Sequence, residues 1–339
     1  MTNKIHINTS IAICHLDTPR NMSTIKHLLS VFQFTKQQVL QYIERASQFK
    51  QKTHSASFPE KTLLTMFYEP STRTSCSFQS AAIKLNCKII SITEQYSSSK
   101  KGESLEDTIK TLNYYADAIV LRHPEKGAAK KAAAISTIPI INGGDGNGEH
   151  PTQALLDMMT IYTELHNRKI DIESLTRPSL TITFVGDLKN SRTIHSLIHI
   201  LAMFSKIHFI YIAPPSLEMP EDIISQLKAS DPAIKQTTNL SLQDAIPLTD
   251  VLYMTRIQRE RFPTERDYHS ITLSHDYKNY CINKSSIQSA KPTAIIMHPL
   301  PRTNEIHPDV DDDPRAIYMT QVENGVYMRM AILEEIFSK

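Results

Sequence analysis

Little in this chain is in excess, and its shortages exclude whole classes of function. Lys and Arg number 37 against 35 Asp and Glu over 339 residues, a formal balance of only +2. Without a basic surplus or a long basic run, nucleic acid is not an expected partner. No apolar stretch is long enough to cross a bilayer. The N-terminal segment, with His6 and Asp17 among scattered polar groups, lacks the unbroken apolar core of a secretory signal. The four cysteines (Cys14, Cys76, Cys87, Cys281) form no C-x-x-C pair, so neither a disulfide framework nor a zinc ribbon is implied. Free thiols in a reducing compartment are the simplest account, and a soluble cytoplasmic protein is expected. Asp145, Asn147 and Glu149 alternate as in a calcium loop but miss the EF-hand spacing, and no metal is expected. Glycine is scarce as well: there are eight, and four of them crowd into Asn142–Gly148.

What is present is alternation. The length suits about two domains. Thr35 with Gln38 is a capping-box signature, continued by Val39, Leu40 and Ile43 as an amphipathic helix to about Phe49. Strand Thr62–Phe67, a helix from Thr72, strand Lys88–Ile92, a helix over about Leu105–Tyr115 and strand Ala118–Leu121 follow. The glycine cluster marks a backbone needing unusual torsions or a close approach, with a solvated loop as the plainer alternative. A helix after Pro151 carries Leu155, Met158, Met159 and Tyr162, and Arg177-Pro178-Ser179 breaks the pattern. Strand Leu180–Val185, helix Thr193–Phe204, strand Ile207–Ile212, helix Glu221–Leu227, strands Asp250–Met254 and Ala294–Met297, and a last helix over about Gln321–Phe337 complete the chain. Strands separated by helices predict parallel sheets of βαβ units. The expected fold is α/β, with two doubly wound parallel-sheet domains and a ligand site in the cleft between them.

Several polar groups fall where such a fold places ligands. Ser71-Thr72-Arg73-Thr74 follows a strand and opens a helix whose Phe78, Ala81, Ala82 and Leu85 share one face. A helix start offers unpaired N–H groups and a positive dipole end, so hydroxyls and a guanidinium there make a phosphate clamp. Capping by Ser or Thr is the competing account; an Arg at a helix N-terminus argues for an anion. Arg122 ends a strand at the carboxyl edge, where ligands bind open sheets, though a surface salt bridge would also explain it. His150 and Gln153, three apart at the start of a helix, suit a carbonyl oxygen and an amino group. Arg192 and Arg256 follow strands of the second block and could clamp two carboxylates. For Arg259 and Arg261 a solvated basic loop is the plainer reading. His298-Pro299-Leu300-Pro301-Arg302 is a turn whose carbonyls can accept from a ligand NH₂. Ser97–Glu103, with Lys100 and Lys101, passes for an exposed polar loop, and Asp311–Asp313 for a solvated acidic run. Gly186-Asp187 invites a dinucleotide reading, but the G-x-G-x-x-G spacing is missing.

In this order, these segments resemble the transcarbamoylase family over nearly the whole chain from about residue 25. Ser71–Thr74 and His150–Gln153 match motifs shared across the family. Ser97–Glu103 with its Lys-Lys-Gly-Glu, Gly186–Lys189, Thr255–Gln258 and His298–Pro301 match its aspartate-using branch; ornithine enzymes typically carry a cysteine in the last and a Ser-Met-Gly loop in place of the arginine-glutamine segment. The resemblance implies transfer of a carbamoyl group from carbamoyl phosphate to L-aspartate, a step of pyrimidine biosynthesis, with no cofactor. It implies that Ser71, Thr72, Arg73, Thr74 and Arg122 hold the phosphate, and that Thr74, Arg122 and His150 bond the carbonyl oxygen. Gln153 and the carbonyls of Pro299 and Leu300 would take the amino group. Arg192, Arg256, Gln258 and Lys101 would bind aspartate, with Ser97 and Lys101 reaching a neighbouring subunit's site in a homotrimer. Arg73, Thr74, Arg122 and His150 would form the catalytic set. Residues 1–152 would be the carbamoyl phosphate domain and 153–319 the aspartate domain, the helix from about 320 to 339 folding back on the first. Separate regulatory chains attach to such trimers in the family, and no docking signature for them is evident here. Ser75 and Ser99 depart from common family residues (arginine and glycine), and neither departure removes a ligand-binding group. A transcarbamoylase with another acceptor, a non-catalytic paralogue and a dinucleotide-dependent dehydrogenase are the competing readings.

Overall fold

Two all-parallel sheets organise the chain. The computed structural model describes residues 26–94, 101–173, 179–204 and 206–339. The N-terminal extension, Ser97 and Ser99 of the polar loop, and the Arg177-Pro178 break lie outside the described residues.

In the first lobe, α1 (Lys36–Lys50) precedes β1 (Thr62–Phe67), α2 (Thr72–Lys84), β2 (Lys88–Thr93), α3 (Leu105–Leu112), β3 (Ala118–His123), α4 (Ala128–Ile135) and β4 (Ile140–Asp145). The sheet order is β2-β1-β3-β4. Helix α5 (Pro151–Asn167) leads to the second lobe. There β5 (Leu180–Val185), α6 (Arg192–Leu201), β6 (Ile207–Ile212), α7 (Glu221–Ser230), β7 (Lys235–Thr237), α8 (Leu242–Ala245), β8 (Val251–Met254), α9 (Glu265–Thr272) and β9 (Ile295–Met297) follow. This sheet has the order β7-β6-β5-β8-β9. The final helix, α10 (Tyr318–Phe337), packs against α1, α2 and α5.

The local causes are legible. The Thr35 hydroxyl accepts from Gln38 N while the Gln38 side chain accepts from Thr35 N, the reciprocal box that starts α1. Phe78, Ala81, Ala82 and Leu85 are fully buried and fix the direction of α2. Every residue of β5 is buried, as expected of a central parallel strand covered on both faces.

Strand order places the site. In each sheet the chain winds outward in one direction and then returns to wind the other way, between β1 and β3 and between β5 and β8. Such a reversal opens a crevice at the carboxyl ends of the strands. The segments leaving those ends are Tyr68–Thr74, Arg122–Pro124, Gly186–Arg192 and Thr255–Arg261, which hold most of the singled-out polar motifs.

The structure also corrects the sequence reading. The glycine cluster is not a solvated loop: Asn142, Gly143 and Gly144 form β4 and are buried. A Cβ on Gly143 would stand 3.2 Å from Val120 Cγ1, and one on Gly146 would meet the Pro124 carbonyl oxygen at 2.3 Å. The sheet thus packs where side chains would not fit. Four elements carried too little periodicity to be read: α4 starts behind Gly127 without a polar cap, β7 spans three residues, α8 spans four, and α9 buries none of its residues. The acidic run is not simply solvated either, since Asp311 pairs with Arg302 and Asp313 with Arg315.

Candidate active site

A cleft of about 910 Å³ opens between the two lobes, and the Ser71–Thr74 segment forms one wall. Ser71 is the N-cap residue of α2, yet its hydroxyl makes no capping bond. Capping therefore does not explain the motif. Among the described residues the Arg73 guanidinium has no hydrogen-bond or ion-pair partner; it is half-buried, and burial together with the Arg256 charge lowers its pKa. A cation held beside a helix N-terminus and a second arginine is unfavourable unless an anion joins them.

Arg122, at the end of β3, donates to the Gly143 carbonyl at 3.3 Å and lies 3.4 Å from Glu69. Burial and the neighbouring Arg192 push its pKa down to about 9 against the pull of Glu69, and its Nε has no partner among the described residues. A Cβ on Gly144 would come within 3.1 Å of both Arg122 Nη1 and Arg192 Cζ. The absent side chain at this positive-φ position is what lets two guanidinium groups share the backbone.

His150 stands just before α5 with an extended φ of −139°, so it projects from the helix start rather than from a shared helical face with Gln153. Its ring is buried, with Nε2 3.4 Å from Thr74 Oγ1 and Nδ1 3.5 Å from Thr152 Oγ1. Thr152 Oγ1 in turn accepts from Arg329 at 3.4 Å and keeps a proton that it can donate to Nδ1, the tautomer in which the ring's own proton sits on Nε2 towards the cleft. Burial, then Arg192, Arg122 and Arg329, hold the His150 pKa well below the usual value. The ring is a neutral donor. Gln153 also lines the cleft and donates to Asp157 at 2.9 Å.

The second lobe supplies more cations. Arg192, the first residue of α6, pairs with Glu69 at 3.3 Å and donates to the Gly146 carbonyl. Arg261 lies 3.5 Å from Glu69 and donates to the same carbonyl at 3.0 Å. Glu69 thereby ties the first lobe to two arginines of the second. Arg256 is paired with Glu260 through both of its terminal nitrogens. Gln258 is positioned by its own N–H, which donates to the buried Asp187 at 3.2 Å. The 298–301 turn is held by His298: its Nδ1 accepts from Leu300 N at 2.7 Å and its other nitrogen donates to Glu305 at 2.7 Å. Leu300 sits at φ 53°, a left-handed conformation uncommon for leucine and typical of functional turns.

All of Ser71, Thr72, Arg73, Thr74, Arg122, His150, Gln153, Arg192, Arg256, Gln258, Pro299 and Leu300 line this one cleft. Lys101 does not; it is exposed elsewhere, and Ser97 lies outside the described residues. Sequence reasoning missed Glu69, Arg329 and Gln321, which also line it, as does Arg261, read there as part of a solvated loop. Only Glu69 carried a signal, its place directly ahead of the Ser71 motif. The lining holds six arginines and two glutamates, while burial keeps His150 and His298 towards their neutral forms. That surplus of positive charge, partly shielded from water, suits a multiply anionic ligand set.

Comparison with known proteins agrees with this geometry. The family model described as aspartate/ornithine carbamoyltransferase, carbamoyl-P binding domain, matches residues 26–163, and the one described as Asp/Orn binding domain matches residues 179–336. The chain is 43% identical over 317 residues to the aspartate carbamoyltransferase catalytic subunit of Methanocaldococcus jannaschii, covering 92% of this chain and 98% of the relative. It is 45% identical over 318 residues to the multifunctional protein CAD of Squalus acanthias, covering 93% of this chain but only 13% of that much longer relative. Among solved structures, the Trypanosoma cruzi aspartate transcarbamoylase in complex with carbamoyl phosphate and aspartate aligns with a TM-score of 0.83 at 37% identity, over 91% of this chain and 95% of that one. The M. jannaschii catalytic subunit aligns with a TM-score of 0.80 at 42% identity, over 93% and 98%.

Proposed function

The chain belongs to the aspartate/ornithine carbamoyltransferase family, and from that premise we propose that it transfers the carbamoyl group of carbamoyl phosphate to the amine of L-aspartate. The products are N-carbamoyl-L-aspartate, for pyrimidine biosynthesis, and phosphate. The observation that carries this reading is the Arg73 guanidinium at the start of α2, without a partner among the described residues and facing the cations of the other lobe across a single cleft.

The chemistry fits the residue types. The neutral amine attacks the carbamoyl carbon, the new C–N bond forms, and negative charge builds on the carbonyl oxygen. His150 Nε2–H, Thr74 Oγ1 and Arg122 are the donors for that oxygen, and such donors act most strongly where they are preorganised and partly shielded from water. The carbon–oxygen bond to phosphate then breaks, and the leaving phosphate takes up the amine proton. Ser71, Thr72, Arg73 and the free N–H groups of α2 hold its charge. Gln153 with the Pro299 and Leu300 carbonyls accepts from the carbamoyl NH₂, and Arg192, Arg256 and Gln258 take the aspartate carboxylates. Positioning and charge stabilisation suffice, and the reaction calls for no cofactor. In this reading residues up to 152 form the carbamoyl phosphate domain and 153–319 the aspartate domain, with α10 joined to the first.

The active assembly is a cytoplasmic homotrimer with shared sites. Lys101 is exposed and away from its own chain's cleft, and Ile83, Ile90 and Val322 on the neighbouring α2, β2 and α10 are exposed apolar residues that a second copy can cover. Mixing an Arg73→Ala chain with a Lys101→Ala chain is expected to restore measurable activity, because some interfaces then carry two intact halves. Mixed chains that exchange subunits yet stay as inactive as either parent would exclude shared sites.

The reaction itself is tested by assaying carbamoyl aspartate formation with L-aspartate beside L-ornithine. Turnover with aspartate alone is expected. Turnover with ornithine alone would overturn the acceptor assignment to Arg256 and Gln258.

A further inference from the structure

A buried carboxylate that the chemistry above does not use lies directly behind the amino-group acceptors. Asp157 is one turn beyond Gln153 on α5 and is fully buried. Its Oδ1 accepts from Gln153 Nε2 at 2.9 Å and from Gln321 Nε2 at 2.6 Å, while Tyr253 Oη bonds Oδ2 at 2.7 Å. Gln321, from α10, uses its amide oxygen to accept from His298 N at 3.0 Å, at the root of the Pro299-Leu300 turn. One carboxylate thus anchors both acceptor sets, across three elements distant in sequence.

We propose that Asp157 is a positioning residue that makes the site select a carbamoyl over an acyl group, by engaging the NH₂ end of Gln153 so that its amide oxygen is left to face the substrate. An amide has two ends of opposite hydrogen-bonding sense. With Oδ1 as an acceptor, only the Gln153 nitrogen can face Asp157, so the oxygen is presented outward as an acceptor. The sense survives a change in the charge of Asp157: burial pushes its pKa up to about 7, but a proton would reside on Oδ2 against the Tyr253 hydroxyl, leaving Oδ1 accepting. Through Gln321 the same oxygen steadies the turn that bears the other two acceptor carbonyls. A substrate with NH₂ at the transferred carbon satisfies these acceptors; one with a methyl group leaves them desolvated and unpaired, which is the strong form of discrimination.

The proposal rests on the carbamoyl-transfer reading, and its test separates the two. Binding of carbamoyl phosphate and of acetyl phosphate, which has a methyl group in place of the NH₂, is measured by titration calorimetry on the intact protein. Wild type is expected to prefer carbamoyl phosphate; no preference there would overturn the site reading and the proposal with it. Asp157→Ala should lower the affinity ratio by about tenfold or more while inorganic phosphate still binds as in wild type. Asp157→Asn, which can keep an oxygen towards Gln153 and Gln321 and turn its NH₂ towards Tyr253 Oη, should retain most of the ratio. A wild-type ratio in Asp157→Ala, or an equal loss in both variants, would overturn the assignment. Should Asp157→Ala not fold, Gln153→Met takes its place: a retained ratio there removes the group through which Asp157 is said to act.

Discussion

Replacing Arg73 with alanine is expected to lower kcat by roughly two to three orders of magnitude, the scale for losing one preorganised donor to developing charge, and to raise the KM for carbamoyl phosphate besides. The structure makes this a clean experiment. Among the described residues the guanidinium holds no protein partner, so its removal breaks no bond of the fold. Burial and the neighbouring Arg256 already disfavour its charge, so the melting temperature should stay the same or rise slightly. Arg73→Lys keeps the charge but loses the planar fork, and an intermediate rate is expected. Steady-state kinetics beside thermal unfolding decides the matter. A variant with unchanged kcat and KM would remove Arg73 from the site, and a collapse in thermal stability would make its role structural.

For His150→Ala a comparable fall in kcat is expected, again about two to three orders of magnitude, with a smaller change in KM for aspartate. The pH behaviour distinguishes a neutral donor from a general acid. Burial and three arginines keep the folded ring neutral well below its ordinary titration range, and its place at the start of α5 adds the positive helix end. The unfolded chain takes up this proton near pH 6.5, whereas the folded chain does not. Native stability is therefore lost as pH falls below about 6.5 towards the lowered folded value. His150→Ala should weaken that part of the acid sensitivity, and the ring resonance of His150 in the free protein should stay in its neutral form through pH 6.5. A His150 titration at the ordinary value, or a variant with undiminished kcat, would sink the donor role.

These effects depend on residues with very different legibility in the sequence. The strand and helix order could be read because periodicity is a local property: β1, β5 and β6 fall at the expected residues, and Phe78, Ala81, Ala82 and Leu85 mark the buried face of α2. The Ser71–Thr74 and His150–Gln153 motifs were legible because short segments at element ends carry characteristic residue types, and Ser71–Thr74, His150 and Gln153 do line one cleft. The glycine cluster misled, since scarcity of side chains in β4 reflects close packing rather than freedom. Arg261 misled in the opposite sense. Its charge-dense loop reads as solvated, and only the approach of Glu69 and the Gly146 carbonyl gives it a partner.

What the sequence determined by itself, then, is the alternation of strands and helices, the two-sheet class of fold and the family motifs, all encoded within a few residues of one another. What only the tertiary structure decided is who meets whom across the lobes. Glu69 reaches Arg192 and Arg261, and Asp157 gathers Gln153, Tyr253 and Gln321. Such partners lie on different elements, and a carboxylate looks the same in sequence whether it will face water or a buried guanidinium. Its burial and the charge beside it are set by the packing of α5 and α10 and by the reversal of strand order in each sheet, which no local pattern records.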